Sequence, residues 1–129
     1  MPPRPCPCGQ TASYADCCGR FHRGEGSAPT AESLMRSRFS AFAVGDVAYL
    51  MATWHPADRP SRLDLDRKVA WVQLEVLEST GGSPVHTEGT VRFRAHFVNR
   101  RVPGVLDEHS RFVRLDGRWV YAGVVASGR

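Results

Sequence analysis

The four cysteines are the residues of this chain whose type and spacing most clearly indicate chemistry. They are Cys6, Cys8, Cys17 and Cys18, so all of them lie within the first 18 of 129 residues. Three uses compete: disulfide bonds, a redox-active pair and a metal site. Disulfides are rare in the cytosol, and nothing in the sequence indicates an oxidising compartment. A redox-active pair usually has the spacing Cys-x-x-Cys, which neither pair has.

A structural zinc site, Zn(2+) bound by all four thiolates, fits the pattern best. Tetrahedral zinc needs four ligands within about 2.3 Å of the ion, and two close pairs joined by a turning loop supply them. Pro5 and Pro7 stiffen the first pair, and Gly9 permits the reversal after it. We expect Cys17 and Cys18 in a helical or turn conformation, where side chains about 100° apart both reach one metal. Four thiolates leave no open coordination position, so a catalytic zinc is not expected.

The cysteine segment also resembles a known motif. Residues 6–19, CPCGQTASYADCCG, resemble the SEC-C zinc motif, whose pattern is Cys-x-Cys, eight residues, then Cys-Cys or Cys-His. That motif occurs at the C-terminus of the Sec-pathway motor ATPase and in many other bacterial proteins. In the motif, Ser-Gly-Lys usually follows the glycine, whereas Gln10-Thr11-Ala12 stand here. The resemblance therefore implies a metal, and it implies no partner for that loop.

Composition indicates a compact cytoplasmic protein. Hydrophobic residues make up 42% of the chain, which suffices for a packed core. No apolar run approaches the roughly 20 residues of a membrane span, and residues 1–10 lack the apolar core of a secretory signal. The net charge is +4, and Lys68 is the only lysine. Arginine favours planar pairing with carboxylate or phosphate. We expect a solvated charged surface, with a nucleic-acid partner as the less favoured alternative.

Two helices are predicted after the cysteines. Residues 21–29 are glycine-rich and read as a linker. The first helix covers 31–44, between an N-capping threonine and a glycine. The second covers about 47–54, between a capping aspartate and a proline, and a short helical turn is predicted near 62–67.

One residue breaks the amphipathic pattern of the first helix. Its apolar arc holds Ala31, Leu34, Met35, Phe39, Ala41 and Phe42, and its second arc holds Arg36, Ser37, Ser40 and Ala43. Arg38 lies inside the apolar arc, between Leu34 and Phe42. An arginine there snorkels, meets a buried carboxylate or faces an anionic ligand.

Four strands are predicted in the second half of the chain. Alternating apolar residues place them at about 71–79, 91–97, 107–115 and 118–125. Turns are expected at 81–84 and 102–104, and Asp116-Gly117 indicates a tight hairpin. Helices followed by strands predict the α+β class with an antiparallel sheet. A curved sheet around the helices would form an NTF2-like (cystatin-like) cone. We therefore predict a zinc motif over 1–24 and an NTF2-like domain over 30–126.

A second resemblance covers nearly the whole chain. The blocks at 17–22, 31–42, 49–56, 74–76 and 109–112 look like the YchJ-like family of bacterial proteins; they read CCGRFH, AESLMRSRFSAF, YLMATWHP, LEV and HSRF. The resemblance implies SEC-C-type cysteine motifs around an NTF2-like domain, and it implies no reaction. Longer members carry a second cysteine motif near the C-terminus, which residues up to Arg129 do not contain. No role that needs two such motifs is therefore implied.

A pocket between the helices and the concave sheet face is the expected ligand site. Its candidate residues are Arg38, Trp54, His55, Trp71, Glu108 and Ser110. Glu108 and Ser110 share a strand face with Phe112, so all three point inward if the phenylalanine does. We expect Arg38 to pair with Glu108, either as a buried ion pair or as the polar end of a ligand site. His55 either packs at a helix end or acts as a general base.

Three functions follow as hypotheses. The first is a zinc-binding cytoplasmic module for a protein or small-molecule partner. The alternative is an enzyme that uses Arg38, His55 and Glu108 in acid–base chemistry on a small polar substrate, although the chain has no nucleophile elbow, metalloprotease motif or phosphate loop. The second alternative is association with nucleic acid or the ribosome.

The outer sheet face, with Arg92, Arg94 and His96, is expected to be solvated or to form a homodimer.

Overall fold

The computed structural model describes residues 4–125, and its elements confirm the α+β class. Residues 1–3 and 126 of the predicted domain ranges lie outside the described residues. A 3₁₀ turn (Tyr14–Asp16) precedes three helices, α1 (Cys18–His22), α2 (Ala31–Val44) and α3 (Val47–Ala52). The strands are β1 (Val69–Gly81), β2 (Glu88–Asn99), β3 (Val102–Leu115) and β4 (Arg118–Val124).

The four strands form one antiparallel sheet in the order β1-β2-β3-β4. Register shifts interrupt the β1–β2 pairing twice and the β3–β4 pairing once. Such irregularities bend a sheet and increase its twist, so the sheet can curve around the helical layer. The core lies between α2 and the inner sheet face and includes Leu34, Phe39, Phe93 and Phe112.

Helix α2 has the boundaries that its capping residues predict. The Thr30 side chain accepts a hydrogen bond from the backbone N–H of Ser33 at 3.0 Å. Gly45 ends the helix in the left-handed conformation at φ 80°, and its N–H donates to the carbonyl of Ala41 at 2.8 Å. The N–H of Ala31 donates to Gly82 O at 2.9 Å, which fixes the start of α2 against the β1–β2 turn.

The two serines on the second arc of α2 are buried, which corrects the simple amphipathic pattern. Ser37 and Ser40 are 0% exposed because residues 4–18, here called the cysteine knuckle, and α1 cover this side of the helix. The Sγ of Cys6 lies 3.5 Å from the Ser40 hydroxyl, and Arg36 donates to the carbonyl of Cys8 at 2.9 Å. Helix α2 is therefore sandwiched between the cysteine knuckle and the sheet.

The predicted linker is partly ordered structure. Its first two residues, Phe21 and His22, are the last residues of α1. Ala28 is buried in the core, and the carbonyl of Pro29 accepts a hydrogen bond from the indole of Trp119 at 3.1 Å. The segment therefore packs along the main domain instead of only spanning the gap to it.

Three further predictions need correction. Helix α3 ends at Ala52, and Trp54 instead forms a bridge with Tyr121. Residues 62–66 contain no helical turn. The turn between β2 and β3 lies at 100–101, where both arginines have positive φ, and residues 102–104 already belong to β3. The Asp116-Gly117 hairpin is confirmed, with positive φ at both positions.

Candidate metal centre and ligand cavity

The structure brings the four cysteine sulfur atoms together. All four Sγ atoms lie within 4.8 Å of one another, and all four residues are buried. Gly9, at φ 90°, makes the reversal after the first pair. Cys17 caps α1 and Cys18 is its first residue, so the helix start presents both side chains to the same point.

The electrostatics of the thiols favour a cation among them. The hydrogen bond from Cys18 lowers the pKa of Cys8 to about 5. Burial raises the pKa of Cys17, and the hydrogen bond to Cys8 together with burial raises that of Cys18. Bringing four sulfurs this close forces them to share protons, and a bound metal would replace those protons. The donor set fits a four-coordinate metal ion that prefers soft ligands.

His22 joins the cysteine knuckle to the helices, a role that its position in the predicted linker concealed. Its Nε2 donates to the carbonyl of Ser37 at 2.8 Å, so its Nδ1 accepts from the Tyr14 hydroxyl at 2.6 Å. The His22 ring packs on Tyr49 with centroids 4.5 Å apart. Tyr49 in turn shares a hydrogen bond of 2.7 Å with the Ser37 hydroxyl. These contacts position α2 relative to the proposed metal site.

A cavity of about 160 Å³ lies on the opposite side of α2, against the sheet. It is lined by Met35, Arg38, Phe39, Phe42, Trp54, Trp71, Phe93, Ala95, Leu106, Glu108, Ser110 and Tyr121. Arg38 and Ser110 are almost completely buried, whereas Leu106 is 39% exposed. Arg38 and Ser110 therefore lie deep in the cavity, whereas Glu108 is partly exposed and Leu106 is exposed.

Arg38 points into this cavity from α2. Its Nη1 donates to the carbonyl of Leu50 and to the Thr53 hydroxyl, both at 2.8 Å. The guanidinium lies against both the Trp54 and the Tyr121 ring, at 5.1 and 4.8 Å from their centroids, and these two centroids are 5.4 Å apart. Burial lowers the pKa of Arg38, but a guanidinium remains charged in proteins. The side chain is thus a buried cation held by α3 and two aromatic rings.

The predicted ion pair between Arg38 and Glu108 is not formed. Among residues 4–125, no N–O distance between them falls within 4.0 Å. Arg38 turns instead toward the end of α3. The Glu108 Oε2 accepts from the Ser110 hydroxyl at 2.5 Å and from the Tyr121 hydroxyl at 3.3 Å. Burial raises the pKa of Tyr121 to about 12, so its phenol stays a neutral donor.

Five of the six candidate pocket residues line the cavity, and His55 does not. The His55 backbone N–H donates to the carbonyl of Tyr121 at 2.8 Å, and its Nδ1 accepts from the N–H of Ala57 at 3.0 Å. This matches the helix-end packing alternative, and His55 therefore offers no base to the cavity. Tyr121 was missed, although its alternation with Trp119 along β4 could have placed it on the inner face.

Carboxylates neutralise much of the arginine on the outer sheet face. Arg92 and Arg94 both approach Asp107, at 3.5 and 3.3 Å. His96 contacts Glu75 across the strands. Such half-exposed pairs contribute little to stability, and they reduce the positive potential that a phosphate backbone would meet.

The helices of the described residues are not membrane spans. None of the helices formed by residues 4–125 has the length and apolar character that crossing a bilayer requires.

Comparison with known proteins agrees with the fold and the cysteine site. A family model described as "YchJ, middle NTF2-like domain" matches residues 30–123. A UPF0225 protein of Streptomyces coelicolor is 57% identical over 122 residues, which cover 95% of each chain. The solution structure of a SEC-C motif containing protein from Rhodopseudomonas palustris has a TM-score of 0.82 at 32% identity, covering 95% of this chain and 98% of that one.

A crystal structure of a SEC-C motif containing protein from Psychrobacter arcticus has a TM-score of 0.75 at 27% identity, covering 96% of this chain and 84% of that one. Together with the cysteine cluster and the four-stranded antiparallel sheet, these matches confirm the expected architecture. It is an N-terminal cysteine knuckle followed by an NTF2-like cone.

Proposed function

The chain belongs to the YchJ-like (UPF0225) family, and from this premise we propose that it is a zinc-containing binding protein. In this proposal Cys6, Cys8, Cys17 and Cys18 hold one structural Zn(2+), and the NTF2-like cone holds a small molecule. Four reduced cysteines are typical of a reducing compartment, so we place the protein in the cytoplasm.

The observation that carries the proposal is the placement of α2. One side of the helix contacts the cysteine knuckle through Arg36 and Ser40, and the carbonyl of Ser37 on the same side accepts a hydrogen bond from His22 of α1. The other side presents Arg38 to a cavity whose lining is otherwise mostly apolar. Concave apolar sites with a few converging polar groups are typical of small-molecule binding. Zinc would supply no chemistry here beyond fixing the wall of that cavity, because four thiolates fill its coordination shell.

The enzyme hypothesis is less favoured by the geometry. It needs a general base in the cavity, and His55 hydrogen-bonds to the backbone outside it. Glu108 is the remaining acid–base group of the lining, and two hydroxyl groups already donate to it. We therefore propose binding, with the cavity as the site.

Metal analysis and thermal melting test the two halves of this proposal. Protein dialysed under reducing conditions should retain one zinc per chain, and absence of zinc would refute the metal assignment. Toluene should raise the melting temperature, since a ligand that binds the folded state stabilises it. Ala95→Leu, which fills the cavity, should abolish the rise, whereas Ala70→Leu at an exposed position of β1 should preserve it. A rise of equal size in Ala95→Leu protein would contradict binding in the cavity.

A further inference from the structure

We propose that the cavity takes a small uncharged ring with adjacent hydrogen-bond donor and acceptor groups, such as the edge of an amide or a lactam. This inference rests on the proposed function, because it specifies the ligand class of the same cavity. Three features of the described residues carry it: the size of the cavity, its balance of charge, and the atoms of Arg38 and Glu108 that have no hydrogen-bond partner among residues 4–125.

The size and the aromatic walls of the cavity fit a ligand with a single flat ring. A cavity of about 150 Å³ engineered in another protein holds benzene, and the volume here is about 160 Å³. Trp71 packs edge-on against Phe39 and Phe97, with ring centroids 6.3 and 5.1 Å away. Aromatic walls favour an aromatic or flat conjugated guest in offset or edge-to-face contact.

The charges of the lining select an uncharged ligand. Arg38 and Glu108 are the two charged residues of the lining, and their charges are opposite. A carboxylate or ammonium ligand would add a third, unbalanced charge beside the almost fully buried Arg38, which is costly. A neutral ligand leaves the balance intact.

The free polar atoms select a ligand edge with both a donor and an acceptor. Arg38 uses Nη1 for its two hydrogen bonds, and within residues 4–125 its Nε and Nη2 have no partner. In the same part of the chain no fully buried side-chain nitrogen or oxygen lacks a partner. The two unpaired nitrogens are therefore accessible, and the residue lines the cavity.

Glu108 offers the matching acceptor. Its Oε2 accepts both hydroxyl hydrogen bonds, and among the described residues its Oε1 accepts none. The guanidinium and the carboxylate lie more than 4.0 Å apart, so they do not satisfy each other. A carbonyl that accepts from Arg38 beside an N–H that donates to Glu108 would bridge them.

Four probes that share one ring test this ligand class. Benzamide, benzoate, benzylamine and toluene should be titrated into the zinc-loaded protein at pH 7, with binding followed by tryptophan fluorescence. Benzamide should bind at least about tenfold more tightly than each of the others, because they leave a buried polar group unpaired or a charge unbalanced.

Glu108→Gln provides the matching variant test. This change keeps the size of the side chain and removes the negative charge, so the lining carries only the charge of Arg38. The ratio of benzoate to benzamide affinity should then rise at least about tenfold. Glu75→Gln is the control, because Glu75 lies beside His96 on the outer face and should leave the ratio unchanged.

The outcomes separate the two proposals. If none of the probes binds, toluene included, the proposed small-molecule function fails and this inference fails with it. If toluene or benzoate binds as tightly as benzamide, the ligand class is wrong while the binding function stands. If the ratio of benzoate to benzamide affinity were unchanged in folded Glu108→Gln protein, the charge of Glu108 would not be what excludes a charged ligand.

Discussion

Replacing Cys8 with serine should remove the metal and unfold the cysteine knuckle while leaving the sheet folded. Cys8 is 0% exposed, and its sulfur lies 3.7 Å from that of Cys17. Removing this thiolate therefore leaves only three of the four proposed ligands. Structural zinc contributes about 10–16 kcal/mol of apparent binding free energy in zinc-finger peptides. The effect should therefore exceed that of any single change in the apolar core. Metal analysis and amide hydrogen exchange would measure it.

The sheet should survive because the two cores are separate. The four cysteines form a cluster of their own with Tyr14, whereas α2 and the strands share the main core. Amides of residues 4–18 should lose protection from exchange, and those of β2 should retain it. Thr11→Ala, at an exposed position of the same loop, should keep the zinc. Full zinc content in Cys8→Ser protein would show that this thiolate is not a ligand.

Phe112→Ala should lower the free energy of unfolding by about 3–5 kcal/mol. Phe112 is 0% exposed, and its ring centroid lies 5.8 Å from that of Tyr121 in the cavity wall. Truncation leaves a void in the main core, where Phe112 packs with buried residues of α2 and the strands. Urea denaturation would measure the change.

The neighbouring face of β3 supplies the control for this prediction. His109 is exposed and points away from the core, so His109→Ala should change the free energy of unfolding by less than about 0.5 kcal/mol. Equal losses for the two variants would mean that β3 does not present Glu108, Ser110 and Phe112 to the inside.

Local signals made parts of this fold predictable from sequence. The limits of α2 follow from Thr30 and Gly45, because capping depends on neighbouring residues alone. The inner face of β3 follows from strict alternation, which places Ser110 and Phe112 inside. The cysteine cluster follows from spacing, since four thiols so close in sequence are already close in space.

Long-range packing explains what the sequence could not predict. Ser37 and Ser40 look like solvent-facing residues, and docking of the cysteine knuckle buries them. Arg38 was expected to meet Glu108, but the carbonyl of Leu50 at the end of α3 is its partner. Which acceptor lies closer depends on how α3 packs on α2, and no local pattern encodes that.

The β2–β3 turn shows a different kind of error. Pro103 and Gly104 looked like turn residues, yet they pair with β2 inside β3. An added Cβ at Gly104 would lie 2.6 Å from the Phe97 ring, so a larger residue there would force the ring to move. The glycine therefore leaves room for the Phe97 ring over β3, and Arg100 and Arg101 take the positive φ angles of the turn.

The indole N–H resonances of the three tryptophans provide the most direct test that a zinc-supported cavity binds a small molecule. Trp54 and Trp71 line the cavity, whereas the Trp119 indole donates to Pro29 O away from it. Benzamide added to zinc-loaded protein should shift the signals of Trp54 and Trp71 and leave that of Trp119 unchanged. After a chelator has removed the zinc, the same benzamide addition should give smaller shifts. If the signals of Trp54 and Trp71 did not shift, or shifted equally without zinc, the claim that a zinc-supported cavity binds a small molecule would be contradicted.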